Sequence, residues 1–311
     1  MLVKHSFSIT VSRFSLFYKF LLYLAIVLLI FSAISISSMY FIMKPIIAGV
    51  HNMQFFDHLS EAFKSMFLGD LELQQNAFAV LGSDFSKIGE VFATNKNNVI
   101  GAVCALIAFM FIGKFIISIG HYPLADVVNN FMNSNSKYGF TANLIAHLKK
   151  AVAYSFVDTL IYIPYMLLLG ALVYLIIWGV GMFSLLFALS LSVLTVMVLL
   201  ALKSSVFAMW LPTYINEDLG VFKSLQKAIL TNKDLIVKNW GLFTAVNFLS
   251  YLVTVLFGLV TFGLGFIMCI SLLSIFYLTI RLVIYYRRNE RKYYIDAETV
   301  IDSKHSIKSV Y

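Results

Sequence analysis

Charge is scarce in this sequence. Only 12% of its 311 residues are Asp, Glu, Lys or Arg, about half the fraction of an ordinary soluble domain. The same scarcity, with 16% aromatic residues, excludes a disordered chain, which is poor in aromatics and rich in charge. Two cysteines, Cys104 and Cys269, both lie inside apolar runs, so a disulfide scaffold is excluded. Catalytic signatures are missing as well. There is no His-Glu-x-x-His, Cys-x-x-Cys, Gly-x-Ser-x-Gly or phosphate loop. No enzyme, cofactor or metal is therefore expected. The net charge of +8 is spread between apolar runs, which argues against nucleic acid as a partner. What remains is hydrophobicity: 60% of the residues, with a mean hydropathy of +0.88. The expected fold class is all-α, a polytopic membrane protein.

A helix needs about 20 apolar residues to cross roughly 30 Å of hydrocarbon. Phe20 to Met43 supplies one such run, and Asn98 to Ile119 a second, interrupted by Lys114. From Thr159 to Leu202 there are 44 uncharged positions, with a natural break at Trp178-Gly179-Val180-Gly181. From Asn239 to Ile280 there are 42, dividing near Gly258 to Gly265. These divide into six spans, over 20–43, 98–119, 152–178, 182–203, 240–261 and 264–284, forming one membrane domain over 1–311. Span 1 is too long for a signal peptide, and Met43-Lys44-Pro45 is a poor cleavage site.

Lysine and arginine set the orientation. Lys4, Arg13 and Lys19 precede span 1 without an acid. The next loop carries Lys44, Lys64, Lys87 and Lys96 against Asp57, Glu61, Asp70, Glu72, Asp84 and Glu90. Basic bias returns in the loops after spans 2 and 4 and in the tail 285–311. Alternation of bias puts both termini in the cytoplasm. The absence of glycosylation sequons in the first loop and the Lys- and Asn-rich style fit a bacterial plasma membrane.

The external loop 44–97 holds two apolar sets at helical spacing, Phe55, Phe56, Leu59, Phe63, Met66 and Phe67, then Phe78, Leu81, Phe85, Ile88 and Phe92. Both sets predict amphipathic helices that lie on the outer leaflet or cover the bundle, or else form a lid or docking cap. The two cytoplasmic loops share a plan. Span 2 ends at His121-Tyr122-Pro123, followed by an amphipathic helix around 142–150. Span 4 ends at Trp210-Leu211-Pro212, followed by one over 221–230. The prolines, 89 residues apart, suggest a parallel internal repeat.

A family resemblance lies in the second unit. Leu211-Pro212-Thr213-Tyr214-Ile215-Asn216-Glu217-Asp218, Leu225-Gln226-Lys227-Ala228 and Val237-Lys238-Asn239-Trp240 carry it. This pattern resembles the polytopic membrane domain attached to some bacterial glycerophosphodiester phosphodiesterases, and related bacterial integral membrane proteins. The similarity covers 203–281, with a weaker echo over 113–178. Ser224 and Ala228 are displaced from the family's helix pattern. With twenty residues after Arg291, no phosphodiesterase domain is expected. The resemblance implies a six-helix fold and a bacterial membrane address, without a catalytic activity.

Two ionisable residues inside spans, Lys114 and Asp158, are singled out, because a charge there is a functional hypothesis by default. Lys114 is roughly 9 Å from Gly120 at the inner end of span 2, and Asp158 roughly 12 Å beyond Lys150, at 1.5 Å per residue. Matching depths predict a Lys114–Asp158 pair. It could line a polar pathway, fix the packing of two helices, or be replaced by snorkelling of Lys114. Tyr162 and Pro164 suggest a kink in span 3. The six histidines (5, 51, 58, 121, 147 and 305) are assigned to tails and loops, and a metal site at His51 and His58, with Asp57 as the adjacent ligand type, is not favoured. Arg287, Arg288, Arg291 and Lys292, interleaved with tyrosines, are candidate contacts for anionic lipids at the cytoplasmic face, beside their ordinary role as a stop-transfer flank.

These readings point to a non-enzymatic accessory or lipid-associated role in the cell envelope, with the lipid bilayer and a membrane-protein partner as its associates. The alternative is a small-solute permease with Lys114 and Asp158 on its pathway.

Overall fold

The computed structural model describes residues 2–68, 71–134, 139–182, 184–261, 263–295 and 300–301. The chain is helical almost throughout: α1 (Leu2–Ser12), α2 (Ser15–Asn52), α3 (Phe55–Leu68), α4 (Leu71–Thr94), α5 (Lys96–Ser134), α6 (Phe140–Ala146), α7 (Leu148–Gly181), α8 (Leu185–Val206), α9 (Trp210–Asn216), α10 (Val221–Asn232), α11 (Ile236–Val260) and α12 (Leu264–Arg288). Two residues of extended chain, Tyr293–Tyr294, pair antiparallel with Val300–Ile301. Six stretches are long and apolar enough to cross a membrane: Ser15–His51, Lys96–Asn133, Leu148–Gly181, Phe187–Asn216, Val221–Val260 and Gly265–Arg288. The protein is thus an all-α, multi-pass membrane protein. Its spans expose apolar side chains such as Leu29, Phe41, Leu168 and Leu259, which suits a lipid solvent and no other.

The helices overrun the spans that apolar content marks out. At 38 and 39 residues, α2 and α5 are each nearly 60 Å long at 1.5 Å per residue, about twice the hydrocarbon thickness. The expected stop at His121-Tyr122-Pro123 does not occur, since α5 continues through Pro123 to Ser134. The reason is burial. Leu124, Ala125, Val127, Val128, Phe131 and Met132 all bury their side chains beyond the proline, and that gain outweighs the roughly 3 kcal/mol of an internal proline. Pro212, by contrast, is the third residue of α9, in a first turn whose N–H groups lack helical partners anyway. Helix α7 likewise runs unbroken past Pro164. The amphipathic helix expected over 142–150 is instead α6, a break at His147, and the first turn of α7.

Both expected hairpins form. Between α7 and α8, the Ser184 hydroxyl accepts from the Phe187 backbone N–H at 3.3 Å as an N-cap. Between α11 and α12, Gly263 has φ +93°, a left-handed conformation that costs a side-chain-bearing residue strain.

The chain divides into two compact units, one of residues 1–28 and 114–311, the other Leu29–Gly113. In the larger unit α12 is the central helix, with half of its apolar stretch buried. Its Ile280, Leu282, Val283, Tyr285 and Tyr286 join a core with Phe20, Leu124, Trp210 and Phe243. Polar side chains tie the helices together. Asn129 of α5 accepts from Asn216 of α9 and Tyr286 of α12, both at 3.0 Å. Asn232 donates to the Ser205 carbonyl at 2.6 Å and accepts from Asn239 at 3.0 Å. Helices α2 and α5 approach closely at Gly120, where a Cβ would stand 2.5 Å from the Tyr23 ring.

In the smaller unit, α3 and α4 are the two helices of the first loop. The Phe55 and Phe85 rings meet edge to face at 5.5 Å, and Asp84 of α4 is 1% exposed. Phe63, Phe85 and Phe92 are exposed. The side chains of Phe56, Met66, Phe67, Phe78 and Leu81, and those of Asp70 and Glu72, lie outside the described residues. So do Lys137, His305, Lys304 and Lys308.

Candidate functional site

Lys114 and Asp158 meet. Lys114 Nζ of α5 is 2.7 Å from Asp158 Oδ2 of α7, and both side chains are largely buried. Helical spacing recruits a third member: Ser118, one turn along α5, faces the same way. The Ser118 hydroxyl accepts from Lys114 Nζ at 2.8 Å and donates to Asp158 Oδ2 at 2.7 Å. The two opposite charges cancel within this triad, and Asp158 Oδ2 accepts from both of its partners. Snorkelling of Lys114 is thereby ruled out, and the pair alone does not form an open pathway.

The triad forms one wall of a cavity of about 200 Å³, lined also by His121, Tyr154, Tyr162, Lys203, Ser204, Trp210 and Arg281. Three further basic side chains, His121, Lys203 and Arg281, thus face the same space. His121 belongs to α5, not to a loop, with its ring 5.9 Å from Phe20. Lys203 sits in the last turn of α8, its ammonium 4.2 Å from the centre of the Tyr162 ring. Lys114 approaches the same ring at 4.9 Å, so Tyr162 offers its electron-rich faces to both ammonium groups. Arg281 of α12 has a buried Nε with no hydrogen-bond partner among the described residues. Neither Lys203 nor Arg281 has a carboxylate within ion-pair distance among those residues.

Sequence reasoning missed Lys203 and Arg281. Both bound the long uncharged runs, so both count as flanking charges when only apolar length is considered. The signal was available for Arg281: it lies seven residues before Arg288 in a helix, roughly 10 Å inside its end at 1.5 Å per residue.

A second basic cleft lies at the end of α12. Lys238, Arg287, Arg288 and Glu290, with Leu2, Leu235, Asn239 and Ile284, line about 310 Å³. Arg288 pairs with Asp234 at 3.2 Å, which takes up part of its charge. Arg291 covers the Tyr285 ring at 5.3 Å, and Arg291 and Lys292 are exposed. The α1 helix runs along this end of α12, where His5 Nδ1 and the Tyr293 hydroxyl are 2.8 Å apart. Burial, then the N-terminal amine, Arg287 and Lys4, hold the His5 pKa below its ordinary value. Burial pushes Tyr293 up to about 12. On the surface, a hydrogen bond from Lys150 at 2.8 Å, followed by its charge, lowers the Asp218 pKa.

In the smaller unit, His51 and His58 are not brought together with Asp57. His51 closes α2 and His58 lies in α3. The partner of His58 is Asp84, with Nδ1 to Oδ2 at 2.6 Å, not the neighbouring Asp57. Among the described residues, no three His, Cys, Asp or Glu side chains gather as a metal site would require. Cys104 and Cys269 are free thiols. Comparison with family models, curated proteins and solved structures gives no match to this chain.

Proposed function

We propose that this membrane protein has a non-enzymatic, lipid-associated accessory role in a bacterial cell envelope, with both termini in the cytoplasm. The observation that carries the reading is the basic cleft at the end of α12. Lys238 and Arg287 stand there beside Arg288, with Arg291 and Lys292 exposed nearby, directly below an apolar span. Basic residues in that position attract anionic headgroups by about 1 kcal/mol each. The alternation of Lys and Arg between loops supports the orientation. The implied kinship with the membrane domain of glycerophosphodiester phosphodiesterases, the parallel repeat and a membrane-protein partner belong to the same proposal.

The test is purification into nanodiscs containing phosphatidylcholine with one quarter phosphatidylglycerol, followed by mass spectrometry of retained lipid and co-purified protein. Enrichment of phosphatidylglycerol that falls in an Arg287→Gln/Lys238→Gln variant is the expected result. Bulk lipid ratios in both proteins would overturn the reading.

One observation favours a second reading, that of a small-solute permease: the cavity beside Lys114 and Asp158. That reading predicts solute flux in vesicles that depends on the cavity and is indifferent to Arg287 and Lys238.

A further inference from the structure

The cavity beside the Lys114–Asp158 pair has a charge balance that its own residues do not close. Lys114, Lys203 and Arg281 face it together with one carboxylate, Asp158, which leaves two formal positive charges. Asp158 is already engaged, since its Oδ2 accepts from both Lys114 and Ser118. Lys203 makes no hydrogen bond among the described residues beyond its contacts with the Tyr162 and Tyr165 rings. Arg281 leaves a buried Nε–H without an acceptor. A buried donor without an acceptor is costly, and an uncompensated charge more so. Ammonium and guanidinium groups are donors only. The hydroxyls of Tyr154 and Ser204 line the same space and can donate as well. What is missing is therefore an acceptor-rich anion.

We infer that this cavity is a binding site for a phosphate group, held by Lys203 and Arg281, with the Lys114–Ser118–Asp158 triad as its rigid wall. A phosphate monoester brings about −1.5 to −2 charges and three strong acceptor oxygens near neutral pH, which matches both the free charge and the surplus of donors. Guanidinium groups take phosphate oxygens in pairs through parallel N–H bonds. The volume of about 200 Å³ accommodates a phosphate and a few waters, each water occupying about 30 Å³. It does not accommodate a whole lipid, so a phospholipid would place only its headgroup here. The phosphate therefore comes either from a phosphomonoester lipid or from a soluble phosphate. This site is separate from the basic cleft at the end of α12 and stands whether or not that cleft selects lipid.

The full-length protein in phosphatidylcholine nanodiscs supplies the experiment. Thermal unfolding is followed with inorganic phosphate and with glycerol phosphate against chloride at matched ionic strength. In parallel, nanodiscs doped with phosphatidic acid are examined by native mass spectrometry for a tightly bound lipid. Saturable stabilisation by soluble phosphate, retention of a stoichiometric phosphatidic acid, or both is expected, and the arm that responds identifies the source. Lys203→Met and Arg281→Gln should each weaken that response at least tenfold. Each should leave the ligand-free unfolding temperature unchanged or higher, because an uncompensated charge has been removed. The Arg287→Gln variant controls for the cleft and should keep the soluble-phosphate response, while any lipid it ceases to retain is assigned to the cleft and not to this cavity. Absence of saturable binding in both arms overturns the inference. So does an undiminished response in both cavity variants. A cavity variant that loses stability without ligand would show Lys203 or Arg281 to be a packing residue, and would overturn its assignment as a phosphate anchor.

Discussion

Each unit of the molecule sets a carboxylate against a nitrogen partner across two helices, Asp158 in one and Asp84 in the other, and the two are solved differently. In the larger unit, Asp158 sits mid-helix in an apolar span. It is satisfied by Lys114 and Ser118 from another span. In the smaller unit, Asp84 sits on an amphipathic helix with His58 at 2.6 Å and Lys87 at 3.7 Å. The His58 side chain is 29% exposed and that of Lys87 is 56% exposed. Bulk water can therefore reach the partners of Asp84, whereas Lys114 is only 19% exposed and opens, like Asp158, onto a small cavity. The same functional group is a soluble-protein ion pair in one place and a membrane-interior ion pair in the other. The lesson concerns replacement: water can stand in for a lost partner only where it already has access.

That contrast sets the order of mutational effects. The largest is expected for Asp158→Ala, which strands Lys114 inside the span and should cost about 3–5 kcal/mol, read as thermal or denaturant unfolding in a fixed nanodisc composition. The reciprocal exchange Lys114→Asp/Asp158→Lys should recover most of that loss. Failure to recover would show that the orientation of the pair matters, as a polar pathway requires. For Asp84→Ala the loss should be smaller, about 1–3 kcal/mol, because solvent rescues His58. Equal losses at the two sites would break the comparison.

Next comes a pH effect in the larger unit. His5 has a folded-state pKa below its ordinary value near 6.5, so the unfolded state binds its proton more readily. Its contribution is fully present above pH 6.5 and is lost as pH falls from there towards the folded pKa. The protection of α1 amides, measured as hydrogen exchange relative to the intrinsic rate at each pH, should fall between pH 7 and pH 5.5, and a His5→Gln variant should flatten that dependence. The smallest effect belongs to Lys150→Ala. Its partner Asp218 is fully exposed, and exposed pairs contribute little, so the unfolding temperature should not measurably move.

Much of this architecture was legible in the sequence, and the failures share a cause. Apolar run length located all six spans, because lipid imposes one requirement on every residue of a span. It fixed neither helix ends nor the roles of the charges that bound each run. Pro123 was expected to end a helix that in fact buries Leu124 to Met132 beyond it, and only tertiary packing decides that contest. Lys114 and Asp158 were found because they interrupt or enter apolar runs. Lys203 and Arg281 were missed because they sit at run edges, where a loop charge and a cavity charge have the same sequence appearance. The His58–Asp84 contact spans 26 residues and has no local signature.

The first helix rests on the last. Helix α1 runs along α12, and His5 meets Tyr293 across 288 residues of chain. Synthesis proceeds from the amino end, so the docking place of α1 does not exist until the sixth span has left the ribosome. During that interval Ile9, which is buried in the finished protein, must rest at the membrane surface or be shielded by another protein. The seating of α1 is thus a late step of assembly, and it reports that every intervening span has been inserted.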